Sequence, residues 1–408
     1  MRFGEFEGDW REFRFGKGVI ESAFGPRFSS DQYVDNGAVV CLRTTDMEDD
    51  GTISYDNVPE ANLSVEFESH FLKLGDLVIA RSGTIGITGL FEGYEKPVVP
   101  GAFLIRFRLN RNMISGHFTK AYFNSTSGRN ELLRLSAGGV QKNLKGSSVK
   151  SLKFPLPTLP EQQKIATFLT AVDGRLAGLR RQLELLGAYK RGVMQRVFSG
   201  ESVGEWERVT IDEVYGFFST NSLSRAQLNY EAGDRKNIHY GDIHTKFSHH
   251  LNASRTEIPF INNEVIAKGA AYKQTVRVGD VLLADASEDV SDIGKATEVV
   301  DAGTVPLYAG LHTIHGRPKP NKIALGYSSL LLQSPQFRKQ VSKIAQGAKV
   351  LGISPTSIKR IKLPLPSLPE QRRIATFLRA LDDRIALVER QLAGVEAFKR
   401  GLLQGMFV

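Results

Sequence analysis

The chain has 408 residues, 24% of them charged and 41% hydrophobic, with a formal net charge of +9 and a pI near 9.4. That length predicts two to four domains, each with its own core. No apolar run reaches the ~20 residues a membrane helix needs, and the opening MRFGEFEGDW lacks the basic and apolar regions of a signal peptide, so a cytoplasmic location is expected. The single cysteine, Cys41, excludes an internal disulfide or a thiolate metal site and reads as a buried thiol rather than a nucleophile.

Residues 1–153 form a first segment of mixed strand and helix. Short apolar runs at 38–42, 77–80 and 103–107, bounded by Gly, Pro, Asn and Asp, predict strands ended by turns. Helices are predicted over 116–124 and 129–135. The charge is uneven: residues 1–100 carry 9 basic and 18 acidic side chains, whereas 101–153 carry 10 and 1.

Next comes PLPTLPEQQKIATFL and a long helical stretch, residues 155–198. Pro160 suits a first helical turn, and Glu161 is placed to meet the positive end of the helix. Apolar side chains then recur in steps of four and three at Ile165, Leu169, Val172, Leu176, Leu179, Leu183, Leu186, Val193 and Val197. That period is the seam of a coiled coil.

Residues 201–362 repeat the plan of the first segment with little identity. RVGDVLLA (277–284) parallels KLGDLVIA (73–80), GEW (204–206) parallels GDW (8–10), and QGAKVLGISPTSIKRIKLPLP (346–366) aligns without gaps to AGGVQKNLKGSSVKSLKFPLP (137–157). The charge profile repeats as well, with 10 basic and 17 acidic side chains in 201–301 followed by 10 and none in 302–362. The paired switch from acidic to basic points to a polyanionic partner.

The chain closes on a second copy of the helical stretch. Residues 364–407 align with 155–198 at a constant offset of 209, and 25 of the 44 positions are identical. Pro369 and Glu370 repeat the helix start, and the seam recurs at Ile374, Leu378, Leu381, Ile385, Val388, Leu392, Val395, Leu402 and Met406. Only Lys190 and Lys399 interrupt it, at equivalent places. Either their stems pack while the ammonium groups reach water, or they mark a register or partner contact. About 39 helical residues make a rod of roughly 58 Å. A rod with one apolar stripe needs a partner, and the other copy can supply it antiparallel, about a pseudo-twofold axis. The expected fold class is α+β, with two α/β domains and two long repeated helices forming an antiparallel coiled coil.

Catalytic signatures are absent from the sequence. There is no GxxxxGK[ST] loop, no GxGxxG after a strand and no Asn-Pro-Pro-aromatic motif for a flipped base. Glu257, Glu264 and Lys268 loosely resemble a metal nuclease set, leaving a metal-dependent nuclease as one alternative; a coiled-coil adaptor that binds only proteins is another. His239, His244, His249 and His250 crowd together but read as a polar loop or strand rather than a zinc site.

The proline-rich lead-ins with Glu-Gln (155–166 and 364–375), the long helices after them, GDLVIA with its Gly-rich loop, and GGVQKNL (138–144) resemble the DNA specificity subunit of type I restriction-modification systems. The resemblance spans essentially the whole chain and implies a non-catalytic subunit. Target-recognition domains at 1–153 and 201–362 would each read half of a bipartite site in double-stranded DNA, and the helices at 154–200 and 363–408 would fix the unread spacer. It also implies two methyltransferase subunits as partners, restriction or translocase subunits in the full complex, and S-adenosylmethionine in the methyltransferase rather than in this chain, which is expected to hold neither cofactor nor metal. Basic side chains would mostly meet phosphate, and polar loop residues would meet base edges. The candidate DNA-binding residues are Arg81, Ser82, Thr84, Gln141, Lys142 and Asn143 in the first domain, and Tyr240, Asp285, Ser287 and Lys349 in the second.

Overall fold

The computed structural model of the chain describes residues 2–136, 142–199, 206–267 and 274–407. Two compact units emerge: Met1–Arg181 with Glu389–Val408, and Gln182–Val388. The two long helices, Leu159–Phe198 and Leu368–Met406, each contribute to both units.

In the first unit, strands Val19–Phe24, Leu104–Leu109, Leu77–Ala80 and Thr88–Leu90 are neighbours in one antiparallel sheet. A smaller sheet places Val39–Leu42 between Glu60–Ala61 and the parallel strand Val98–Pro100. Leu77–Ala80 is buried throughout, which explains why it reads as a continuous apolar run rather than an alternating one. The predicted helix at 116–124 is present as Gly116–Asn124. The next begins earlier than expected, as Thr126–Arg134, because the Ser125 hydroxyl accepts the Gly128 N–H and caps the helix there.

The second unit follows the same order. Tyr215–Phe218, Thr313–Pro318, Val281–Ala284 and Ala296–Asp301 form the corresponding sheet, extended by His250–Asn252 parallel to its edge. Its smaller sheet again contains a parallel pair, Lys236–Ile238 with Leu307–Ala309. In both units a two-stranded ribbon joins the domain's start to the helix lead-in: Arg11–Arg14 with Lys153–Leu156, and Glu207–Thr210 with Lys362–Leu365.

The Gly-Asp signature is a structural device in both copies. Gly75 and Gly279 adopt φ of +82° and +91°, a region open to glycine at little cost. The aspartates that follow are 1% exposed. Asp76 accepts the Lys73 N–H at 2.9 Å and pairs with Arg108 at 3.0 Å. Asp280 accepts the Arg277 N–H at 2.8 Å, Arg317 at 2.7 Å and His315 at 2.7 Å.

The Glu-Gln lead-in has an equally physical explanation. Gln162 and Gln371 are 0% and 1% exposed. Gln162 Oε1 accepts the Ser115 N–H at 2.8 Å while its Nε2 donates to the Pro157 carbonyl at 2.9 Å. Gln371 does the same with Ala324 at 2.8 Å and Pro366 at 2.9 Å. Each glutamine therefore fastens its long helix to the domain that precedes it. Gln162→Ala should cost about 1–3 kcal/mol because it strands a buried donor and acceptor, read as a lower denaturant midpoint for the first unit.

Within each unit the helix segments pair antiparallel, and every predicted seam position is buried or half-buried. In the first unit Ile165 and Leu169 share a core with Leu402 and Met406, and Arg180 meets Glu396 at 3.0 Å. In the second, Phe198 shares a core with Ala375 and Leu378. The seam lysines are ion-paired: Lys399 with Asp173 at 2.6 Å in the first unit, and Lys190 with Asp382 in the second. Each pair is the other shifted by 209 residues, Lys190 to Lys399 and Asp173 to Asp382, so the two seam interruptions make equivalent, partly exposed ion pairs between the helices.

Candidate nucleic-acid interface

After Leu77–Ala80 the first unit turns at ARSGTIG. Arg81 is held through its backbone on both sides, its N–H donating to the Phe103 carbonyl at 2.9 Å and its carbonyl accepting the Leu144 N–H at 3.0 Å. Its side chain gives Nε–H to Asn143 Oδ1 at 2.9 Å and places its guanidinium carbon over the exposed Phe24 ring, 4.4 Å from the centroid. The structure thus brings together two candidates, Arg81 and Asn143, that lie 62 residues apart. Ser82 is half-buried and Thr84 exposed in the same loop, and Lys142 is exposed beside Asn143. Gln141 lies outside the described residues. A hollow of about 360 Å³ lined by Phe24, Lys145, Ser147 and Lys150 opens nearby; with Lys142, its lysines give this face a positive rim.

Asp285 occupies the same place in the second unit. Its N–H donates to the His312 carbonyl at 3.0 Å, and its carbonyl accepts the Ile353 N–H at 2.9 Å. Here the side-chain support is His312, whose Nδ1 lies 3.1 Å from Asp285 Oδ1 and whose ring packs edge-on against Tyr240 at 5.3 Å. Asp285 and Tyr240 therefore share a cluster through His312, a residue the sequence reading passed over. Ser287 sits in the short strand Ala286–Ser287, paired with Leu351–Gly352, and its hydroxyl accepts the Asp289 N–H at 3.1 Å. Lys349 is exposed in the loop leading into Leu351–Gly352, away from any described contact with the Asp285 cluster.

The four neighbouring histidines divide among structural duties. His239 caps the helix Tyr240–Thr245 by accepting the Gly241 N–H, and burial together with Arg225 holds its imidazole below the ordinary range. His244 bonds the Ala286 carbonyl at 2.9 Å, and His250 bonds Ser329 Oγ at 2.8 Å. Burial lowers both His249 and His250. Among the described residues, no group of three His, Cys, Asp or Glu is arranged to hold a metal. Glu257 and Glu264 are exposed, and Lys268, the third member of the nuclease-like set, lies outside the described residues. Cys41 is 2% exposed, and burial pushes its thiol up to about 11, far from the thiolate a nucleophile requires.

The basic segments serve the fold more than their composition suggests. Arg106 is 1% exposed, donates to the Ser69 carbonyl at 2.9 Å and pairs with Glu21. Arg108 pairs with Glu21 and Asp76, and Arg317 with Asp280. Arg338 donates to the Ile293 and Ser291 carbonyls. These arginines are committed to internal partners, so the expectation that such side chains mostly meet phosphate narrows to exposed ones such as Lys142, Lys145 and Lys349. Among the described residues no helix is long and apolar enough to cross a membrane.

Two domains on one buried framework, unlike in the side chains they expose at equivalent places, define a duplicated two-domain protein whose constant parts position differing loops. The family model for the type I restriction modification DNA specificity domain matches residues 7–185 and again 204–397, and the chain belongs to that family. It is 25% identical to the type I restriction enzyme MjaVIII specificity subunit of Methanocaldococcus jannaschii, with 66% of this chain and 67% of the relative covered. It is 24% identical to the StySPI specificity subunit of Salmonella potsdam, covering 80% and 71%. The crystal structure of a type I restriction-modification S subunit from M. genitalium has the same fold, with a TM-score of 0.62 at 15% identity over 100% of this chain and 99% of that one.

Proposed function

We propose that this chain is the non-catalytic specificity subunit of a type I restriction-modification complex. Residues 1–153 and 201–362 each read one half of a bipartite target in double-stranded DNA, and the helices within 154–200 and 363–408 set the spacer. Two methyltransferase subunits, which carry S-adenosylmethionine, dock on this chain, and restriction subunits complete the assembly. The observation that carries this reading is the placement of Arg81 and Asp285. Identical backbone bonding holds opposite chemistries at the same post-strand position, as expected of two domains that share a scaffold and read different sequences.

Helices of 40 and 39 residues rise ~58–60 Å at about 1.5 Å per residue, an upper span near ~17 base pairs at about 3.4 Å per pair. In a footprint, the chain with its methyltransferase partner should protect two short sequences at a fixed separation. Inserting one heptad after Leu179 and another after Val388 should lengthen the gap while leaving both half-sites unchanged. Protection of no discrete two-part sequence would refute the recognition role, and an unchanged gap would refute the ruler.

A further inference from the structure

We infer that Arg81 and Asp285 are base-reading residues of opposite sense, Arg81 selecting a guanine in the half-site of the first domain and Asp285 a cytosine in that of the second. The inference rests on the proposed DNA recognition and adds the identity of one base in each half-site.

The first step is equivalence. Arg81 and Asp285 each follow the buried strand after a Gly-Asp turn. Each donates its N–H to the residue just before the neighbouring strand, Phe103 or His312, and each accepts from a residue of the aligned stretches 137–157 and 346–366, Leu144 or Ile353. Leu144 and Ile353 are separated by the same offset of 209 as the helices. The two side chains therefore leave equivalent points of one scaffold, and any difference between them is a difference in what the scaffold presents.

The second step is presentation. Arg81 uses Nε–H on Asn143 and holds its guanidinium carbon over the Phe24 ring. Among the described residues its two terminal amines meet no acceptor. A guanidinium bonded at its inner edge and held over a ring offers a planar fork of donors at its outer edge, and the base edge that matches such a fork is guanine, with O6 and N7 both acceptors in the major groove. Because the fork is held before DNA arrives, little side-chain freedom remains to be lost on binding.

Asp285 presents the reverse. His312 fixes one carboxylate oxygen at 3.1 Å, is itself packed by Tyr240, and has a backbone φ of +55°. That left-handed conformation is unusual for a residue with a side chain and persists where surrounding contacts enforce it. An anionic acceptor pairs with an exocyclic amine. Cytosine N4 supplies one, whereas adenine sets the N7 lone pair beside its amine and would repel the second carboxylate oxygen.

The test is selection of a randomised duplex pool by the full chain with its methyltransferase partner, followed by sequencing, for wild type and single variants. Wild type should enrich a guanine at one position of one half-site and a cytosine at one position of the other. Arg81→Gln should shift that guanine toward adenine, with discrimination falling ~5- to 150-fold at that position alone, while Arg81→Lys should retain guanine. Asp285→Asn should move the cytosine toward adenine in the other half-site. Asn143→Ala should weaken guanine discrimination without changing the preferred base, as expected of a positioning residue. Unchanged motifs in Arg81→Gln and Asp285→Asn, or weakening spread evenly over all positions, would overturn the inference while leaving DNA recognition standing. Wild type that enriches no motif would overturn the recognition reading and the base assignment with it.

Discussion

Asp280→Ala is expected to destabilise the second unit by about 3–5 kcal/mol, because it removes the acceptor of a buried charged network. Asp280 is 1% exposed and accepts from Arg317 through both Nε and Nη2, from His315 and from the Arg277 N–H. Deleting the carboxylate leaves the fully buried His315 ring without that partner and the partly buried guanidinium with only the Thr275 carbonyl, and loosens the turn that starts Val281–Ala284. Asp76→Ala, at the equivalent place in the first unit, should cost less, about 1–3 kcal/mol, since Arg108 keeps Glu21. Hydrogen exchange resolved by peptide is the proper readout, because a chain of two units need not unfold in one step. Faster exchange in 281–284 and 313–318 with 77–80 and 104–109 unchanged is the expected pattern; equal loss in both units would refute it.

The same network sets a pH dependence. Burial by itself would raise the Asp280 carboxyl, but the Arg317 and His315 hydrogen bonds and the Arg277 N–H outweigh it and hold the group below the usual carboxylate range. A depressed folded value means the native state binds the proton less readily than the unfolded chain. The stabilisation is therefore complete above the ordinary carboxylate value of about 3.9 and is lost as pH falls through the lower folded value. Asp280→Asn should flatten this acid limb of the second unit's stability curve.

Much of the fold was legible because its signals are periodic or local. The 209-residue offset, the seam in steps of four and three, and the Gly-Asp turns each lie within a few residues or recur at fixed spacing. What escaped depends on partners far along the chain. Arg106 and Arg108 looked like phosphate contacts because their segment is almost free of acid; Glu21 lies 85 residues from Arg106 and Asp76 lies 32 from Arg108. A clue was available in LIRFRL, where two arginines alternate with apolar residues along a strand and so share one face. His312 carried no such clue, since its approach to Asp285 is made by tertiary packing across 27 residues. The candidate site was legible as post-strand loops but not as the Arg81–Asn143 and Asp285–His312 pairs. Composition marks a loop as polar, whereas only the assembled sheet decides which polar groups meet.

Phe407→Ala is expected to loosen the first unit by about 3–5 kcal/mol, although about 250 residues separate Phe407 from the last strand of that domain. The ring is 2% exposed and packs against Trp10, Phe118 and Tyr122 at 6.1, 5.6 and 5.4 Å. Its repeat equivalent, Phe198, is 1% exposed and lies 6.2 Å from Tyr327 in the second unit. Each helix thus begins fastened by a glutamine in one unit and ends with a phenylalanine in the core of the other. A cavity at 407 removes both the transfer energy of the ring and its edge-to-face contacts. Exchange should therefore quicken in Gly116–Asn124 and Leu104–Leu109 for Phe407→Ala, and in Ser328–Leu331 and Thr313–Pro318 for Phe198→Ala. If each variant disturbed only the last turn of its own helix, the two phenylalanines would be passive ends; the crossed pattern would make them the fasteners that tie each domain's stability to the helix launched by the other.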